Sequence, residues 1–240
     1  MKAALSSLCS IMLLSLASQA QANMYTLDFA DNPPFSSVEN GKEKGVAINI
    51  VSQLFARAKL SYKLQNVPLA RGMEEAKIKD YTCVFPVQRA QSIEAEYQWV
   101  SPIFVTSSGL FVNPESTVQV ATLSDAKSMK VGALRGSGDS AYLKGFGFKV
   151  EESNTQDQNV KKLLGKQIDV WATDVLSAKY FVEQVEAYKG KAPREVLTFR
   201  KSLGSLACNV KIPKAEIESL QQALDGMIED GSLHKLTAAP

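Results

Sequence analysis

Between Tyr25 and Pro86 the sequence alternates short apolar strand patterns with amphipathic helix patterns, and this alternation restricts the fold more than anything else in the chain. Tyr25–Ala30 reads as a strand ended by the turn Asp31-Asn32-Pro33-Pro34-Phe35. Ile48–Leu60 sets Val51, Leu54, Phe55 and Ala58 on one face at helical spacing. Tyr62–Val67 is a second strand. Pro68 opens a helix with Leu69, Met73 and Ala76 on one side. Asp80–Pro86, centred on the aromatic and β-branched run Tyr81–Phe85 and stopped by proline, is a third strand. A β-α-β-α-β order with connections of these lengths specifies a largely parallel sheet flanked by helices, so the fold class is α/β. Ligands of such sheets bind outside the carboxyl ends of the strands. Three segments are therefore candidate site loops: Asp31–Phe35, Pro68–Arg71 and Pro86–Arg89.

The stretch Asp80–Ile103 runs from strand to turn to a short polar segment, Gln91–Tyr97, and back into the core at Trp99-Val100-Ser101-Pro102, as a cleft wall would. Thr106-Ser107-Ser108-Gly109 reads as a connector. A second cycle follows: strands Lys130–Leu134 and Phe148–Glu151, helix Val160–Leu164, strand Ile168–Ala172, helix Val175–Val185. Leu203–Lys211 is a return strand. Pro213 then starts a helix with Ile217, Leu220, Leu224, Met227 and Ile228 on one face, stopped by Gly231. Two cycles joined by one connector and closed by a late return strand imply two lobes, residues 23–105 with 206–240 and residues 106–205. The chain crosses between them twice, which makes a hinge with the ligand between the lobes.

Several residues at these strand ends admit two roles. Phe35 is a core or lid side chain, or a ring on which a ligand stacks. Arg71, in the first turn of its helix, and Arg89, before the polar segment, are surface charges or cations at the mouth of the cleft. Arg135-Gly136-Ser137-Gly138-Asp139-Ser140 can point backbone N–H groups at an anion. It lacks the Gly-Lys-Ser/Thr ending of a phosphate loop and does not fit Gly-x-Gly-x-x-Gly, so nucleotide binding is rejected.

Charge narrows the partner class. The 27 Lys and Arg are nearly matched by 25 Asp and Glu, and neither sign forms long blocks, so the chain carries no nucleic-acid stripe and no membrane-surface helix. A small molecule is the expected partner, and the mature protein is expected to be a monomer. Lys2, the apolar run Ile11–Ala17 and the small-x-small site Ala20-Gln21-Ala22 have the form of a secretory signal peptide over residues 1–22, cleaved near Ala22. A bacterial periplasmic location follows. Only Cys83 and Cys208 survive that cleavage, and an even count in an oxidising compartment favours a disulfide over two buried thiols. His234 is the sole histidine and stands apart from any clustered ligand spacing, so neither a metal nor another cofactor is expected.

Taken together, Asn32-Pro33-Pro34-Phe35, Trp99-Val100-Ser101-Pro102, Val131-Gly132-Ala133-Leu134-Arg135-Gly136-Ser137 and above all Gly165-Lys166-Gln167-Ile168-Asp169-Val170-Trp171-Ala172-Thr173-Asp174 resemble a known family in their order and spacing. That family is the bacterial extracellular solute-binding proteins of the polar-amino-acid type, receptors of ATP-driven importers, and the resemblance spans the mature chain. It implies a two-lobed periplasmic-binding-protein-like fold of class II, with a ligand cleft between lobes joined by a two-strand hinge. It implies that Asp174 accepts the ligand's ammonium group, while the bare residue also reads as a helix N-cap. It implies that Ser137 and Gly138 occupy the loop that holds the ligand's carboxylate. It further implies that the return strand pairs beside the strand of Cys83, which brings Cys83 and Cys208 face to face. The arginine that clamps an α-carboxylate in the family falls here on Ile93, leaving Arg71 and Arg89 as candidate replacements.

The function so implied is a periplasmic receptor for a small polar solute, an amino acid or a related zwitterion or amine, handed to an inner-membrane ABC permease on hinge closure. A ligand sensor for signalling is the second reading and a dehydratase-like enzyme the third. Against an enzyme stand the lone His234, the lack of a Gly-x-Ser-x-Gly elbow and the pairing expected of the two cysteines.

Overall fold

The structure, a computed structural model, describes residues 23–238, so the proposed leader lies outside the described residues. The chain folds as the alternation requires. Strand β1 (Tyr25–Phe29) is followed by a small hairpin, β2 (Ser37–Glu39) and β3 (Lys42–Lys44), then helix α1 (Val46–Ala58), β4 (Tyr62–Asn66), α2 (Leu69–Ile78) and β5 (Thr82–Gln88). β1 pairs in parallel with β4 on one side and β5 on the other. α1 buries Ile50, Val51, Leu54 and Phe55, the face that its periodicity marks out. The hairpin β2–β3 was not foreseen: its turn residues Asn40 and Gly41 take positive φ, and the strand Lys42–Lys44 is exposed along its length.

The largest departure from the sequence reading is in the middle of the chain. Thr106–Gly109 is no connector but the interior of a 15-residue strand, β6 (Gln98–Val112). The return strand likewise begins earlier than Leu203, as β10 (Arg194–Cys208), also 15 residues. The two pair antiparallel from Arg194↔Val112 to Cys208↔Gln98, with three register shifts. The first two shifts each leave one residue of β10 unpaired, and the third sets Ser205 against Ser101–Ile103 of β6. Such irregularities sharpen the local twist, so one pair of strands can serve two lobes that face different ways. Gly204 lies at such a shift, and a side chain there would run into the Phe104 ring.

After β6 come β7 (Val131–Leu134), α3 (Gly138–Gly145), β8 (Val150–Ser153), α4 (Gln156–Leu164), β9 (Val170–Asp174), α5 (Val175–Gln184), and, beyond β10, α6 (Lys214–Glu229) and α7 (Ser232–Ala238). The curled main sheet runs β4-β1-β5-β10-β6-β9-β7-β8. Two principal cores form on it. One unites β1, α1 and β5 with Leu206, Cys208 and the α6 face Ile217, Leu220, Leu224 and Met227. The other gathers Leu110, Val112, Val131, Ala133, Leu143, Val170 and Ala172. β6 and β10 pass through both, which gives the two-lobed class II architecture with its two-strand hinge. The Cys83–Cys208 disulfide joins β5 to β10 at a residue pair in register, inside the first core.

The opposite face of β1, beside Gly72 of α2 and Val84, carries one expensive group. Asp28 on β1 is fully buried and neither carboxylate oxygen has a hydrogen-bond partner among the described residues. Burial, reinforced by the negative charge of Glu75, raises its pKa from 3.8 to about 6. A carboxyl so raised adds stability that is complete below the unfolded value and is lost as pH rises through about 6. Asp28→Asn is therefore expected to stabilise the protein by about 2–3 kcal/mol at pH 8 and by nothing near pH 3. Urea melts at the two pH values check it; an equal effect at both would mean that ionisation of Asp28 is not the cost.

Candidate ligand cleft

Where the lobes meet, the carboxyl ends of β1 and β5 face the start of α3 and the end of β9. The cleft is lined by Asn32 and Phe35 from the turn after β1, Pro86 and Gln88 from β5, Phe104 and Thr106 from β6, Ser137, Gly138 and Asp139 at α3, and Gln156 and Asp174. Its walls touch. Leu134 packs among Ala30, Leu69 and Val84 of the other lobe. Gly136, at φ +78°, lies so near Ala70 that a Cβ would come within 3.0 Å of its Cα. The Ser177 hydroxyl donates to Asn32 Oδ1 across the gap at 3.2 Å. The space left is about 50 Å³, room for roughly three to five waters at 10–15 Å³ each. A solute of more than a few heavy atoms therefore enters only when the lobes part.

Asp174 is the last residue of β9 and the N-cap of α5: Oδ1 accepts from the Leu176 N–H at 2.8 Å, and Oδ2 accepts from the Thr106 hydroxyl. Both readings of this residue thus meet in one place, a cap whose carboxylate also lines the cleft. It is 6% exposed, and no lysine or arginine among the described residues pairs with it. Burial raises its pKa to about 6, against the pull of its neutral donors and with some help from the charge of Asp139. Behind it Gln156 is locked in place, accepting from the Trp171 indole N–H at 3.0 Å and donating to Thr173 Oγ1 at 2.9 Å.

Phe35 is 3% exposed, belongs to the first core and stacks on Phe104 with centroids 4.6 Å apart, so it is a core ring and a cleft wall together. Ser137 and Gly138 also line the cleft, although the Ser137 hydroxyl is engaged as the N-cap of α3, accepting from the Ser140 N–H at 3.2 Å. Arg71 and Arg89 are elsewhere. Arg71 is bound to Glu75 of its own helix at 2.6 Å and its side chain is 63% exposed. Arg89 donates to Glu94 at 2.9 Å and lies over the Trp99 ring at 5.5 Å from its centroid. In both cases a glutamate four or five residues on is the nearest anion, and it holds the guanidinium at the surface. We expect Arg71→Ala and Arg89→Ala to bind solute as the wild type does; a tenfold loss of affinity by calorimetry in either variant would place that arginine back at the mouth.

The residues that sequence reasoning passed over form a network on the cleft floor. Arg200 of β10 donates to Asp139 Oδ1 through Nη2 at 2.7 Å and Nε at 3.2 Å, and to Gln88 Oε1 at 2.8 Å, with its guanidinium 5.0 Å from the Tyr142 ring centroid. Gln88 Nε2 lies 3.3–3.4 Å from Asp139, Ser108 and Ser202. The signal for Asp139 was present beside Ser137-Gly138. Arg200 and Thr106 were hidden because the strands that carry them were read too short. Among the described residues no three His, Cys, Asp or Glu side chains gather as a metal site would require.

A family model for bacterial extracellular solute-binding proteins, family 3, matches residues 28–239. The chain belongs to this family. No curated protein sequence matches this solute-binding protein. Solved structures do, across almost its whole described length. A histidine kinase sensor domain with similarity to periplasmic binding proteins superposes with a TM-score of 0.81 at 14% identity, covering 90% of this chain and 94% of that one. The substrate-binding protein of an ABC uptake transporter from Streptococcus pneumoniae with bound histidine gives 0.78 at 14%, covering 89% and 90%. An ancestral amino acid-binding protein, a precursor of cyclohexadienyl dehydratase, gives 0.75 at 16%, covering 89% and 93%. At such identities the likeness is one of fold. A receptor for transport, a sensor and a forerunner of an enzyme share the scaffold, so the chemistry must be argued from the cleft itself.

Proposed function

We propose that this solute-binding protein is a periplasmic receptor, not an enzyme, which closes residues 23–105 with 206–240 onto residues 106–205 around a small solute carrying a cationic amine. The observation that carries the reading is Asp174: a carboxylate 6% exposed, facing the cleft, with only neutral partners. A buried carboxylate without a cation costs stability, and a cationic ligand that supplies charge-assisted hydrogen bonds recovers it. Phe35 and Phe104 form the apolar wall against which the rest of the solute packs, and Ser137 and Gly138 border the opposite side. Membership of an extracellular solute-binding family supports an exported receptor; a monomeric state and delivery to an ABC permease are what we assign to it.

A thermal-shift screen of amino acids, polyamines and small carboxylates tests the reading, since a ligand at a hundred times its Kd stabilises by about 2.7 kcal/mol. Cationic compounds are expected to raise Tm by several degrees. If carboxylates alone do so, Asp174 is only a helix cap. A carboxyl with a pKa of about 6 also suits a general acid, so the ligand should be recovered after incubation. Recovery unchanged is expected, and conversion to a product would replace the receptor by an enzyme.

A further inference from the structure

The cleft's own charges narrow the solute further, and the argument rests on the reading of Asp174 just given. Of the residues that line the cleft, only Asp139 and Asp174 are charged. The nearest cation is Arg200, and it is already committed to Asp139, with the two side chains 16% and 6% exposed. Gln88 and Arg200 press so closely on the first turn of α3 that a Cβ on Gly138 would lie 2.6 Å from Gln88 Oε1 and 3.1 Å from Arg200 Nη2. The space before that helix end, where backbone N–H groups and the helix dipole favour an anion, is thus filled by the protein's own carboxylate and its partners. Arg71 and Arg89 are held outside by Glu75 and Glu94, and Arg135 beside the same loop is exposed and does not line the cleft.

The pairing of Asp139 with Arg200 leaves the cleft with one uncompensated charge, the carboxylate of Asp174. We infer that the solute is an amine without a carboxylate, and that Asp139 is the residue that excludes α-amino acids. A carboxylate entering the closed cleft would be stripped of water with no free cation to meet it, unless it first broke Arg200 away from Asp139. An ammonium group meets Asp174 directly.

Matched pairs test this on the whole chain: agmatine against arginine, cadaverine against lysine, phenethylamine against phenylalanine, by thermal shift and then calorimetry. At least one amine is expected to bind more tightly than its parent amino acid, by roughly a hundredfold. Asp139→Asn keeps the side-chain shape and frees Arg200, so the parent amino acid should gain at least tenfold in that variant while the amine does not. If wild type prefers the amino acids, the inference falls and the receptor reading stands. If neither member of any pair stabilises the wild type, the cationic-solute reading falls and this inference with it.

Discussion

Replacing Cys83 and Cys208 together by alanine is expected to cost the fold as much as about 5 kcal/mol, the largest effect of any change considered. The bridge closes a loop of 125 residues that contains the whole second core, and the entropy denied to the unfolded chain by so long a loop sets that figure as an upper value. Both cysteines are fully buried between β5 and β10, so reduction should require unfolding, and the bond should resist mild reductant in the native state. Urea melts of the double variant and of wild type with dithiothreitol in the denaturing steps should share one lowered midpoint. An unshifted midpoint in the double variant would show that the paired strands and the α6 face hold the return strand unaided.

The path of the chain was legible because local patterns and tertiary fold agree for most of it. Val51, Leu54 and Phe55 repeat at helical spacing and are buried on α1. Tyr25–Phe29 and Tyr62–Asn66 lie where their apolar runs place them and pair in parallel. The hinge was not legible in the same way. Thr106-Ser107-Ser108-Gly109 has the composition of a loop, yet it sits in β6, where all four residues pair with β10 and Ser108 and Gly109 pair with β9 as well. Tertiary pairing overrode local propensity there, and with it went the partners of the two cleft carboxylates, Thr106 and Arg200. Asp174 was reached through its spacing after Ile168-Asp169, a feature of resemblance, and its cap position was readable from residue type alone. Arg71 and Arg89 were candidates because they sit at strand ends. What decides their placement is Glu75, one helical turn after Arg71, and Glu94, five residues after Arg89, and a guanidinium beside such a partner stays with it at the surface.

Asp174→Asn separates the two roles of that residue, since asparagine caps a helix as well as aspartate does but cannot pair with a cation as an anion. The fold should survive. A carboxyl raised to about 6 by burial withdraws stability as pH climbs through that value, so the variant should be the more stable protein at pH 8, by about 2 kcal/mol. Its affinity for an aliphatic amine should fall by roughly tenfold to a hundredfold, the worth of a charge-assisted bond in a closed site. A residue that weakens the fold and strengthens binding is what a functional position looks like in energetic terms.

The same pKa makes the central claim measurable without any screen beyond the first ligand. An aliphatic amine stays protonated between pH 4.5 and 8, so across that range the proton competes with it only for the carboxylate it binds. Calorimetric affinity of the wild type should be level above about pH 6 and fall close to tenfold per pH unit below it, with the profile flat in Asp174→Asn. A wild-type affinity that does not change between pH 4.5 and 8, or a fall that persists in Asp174→Asn, would contradict the account.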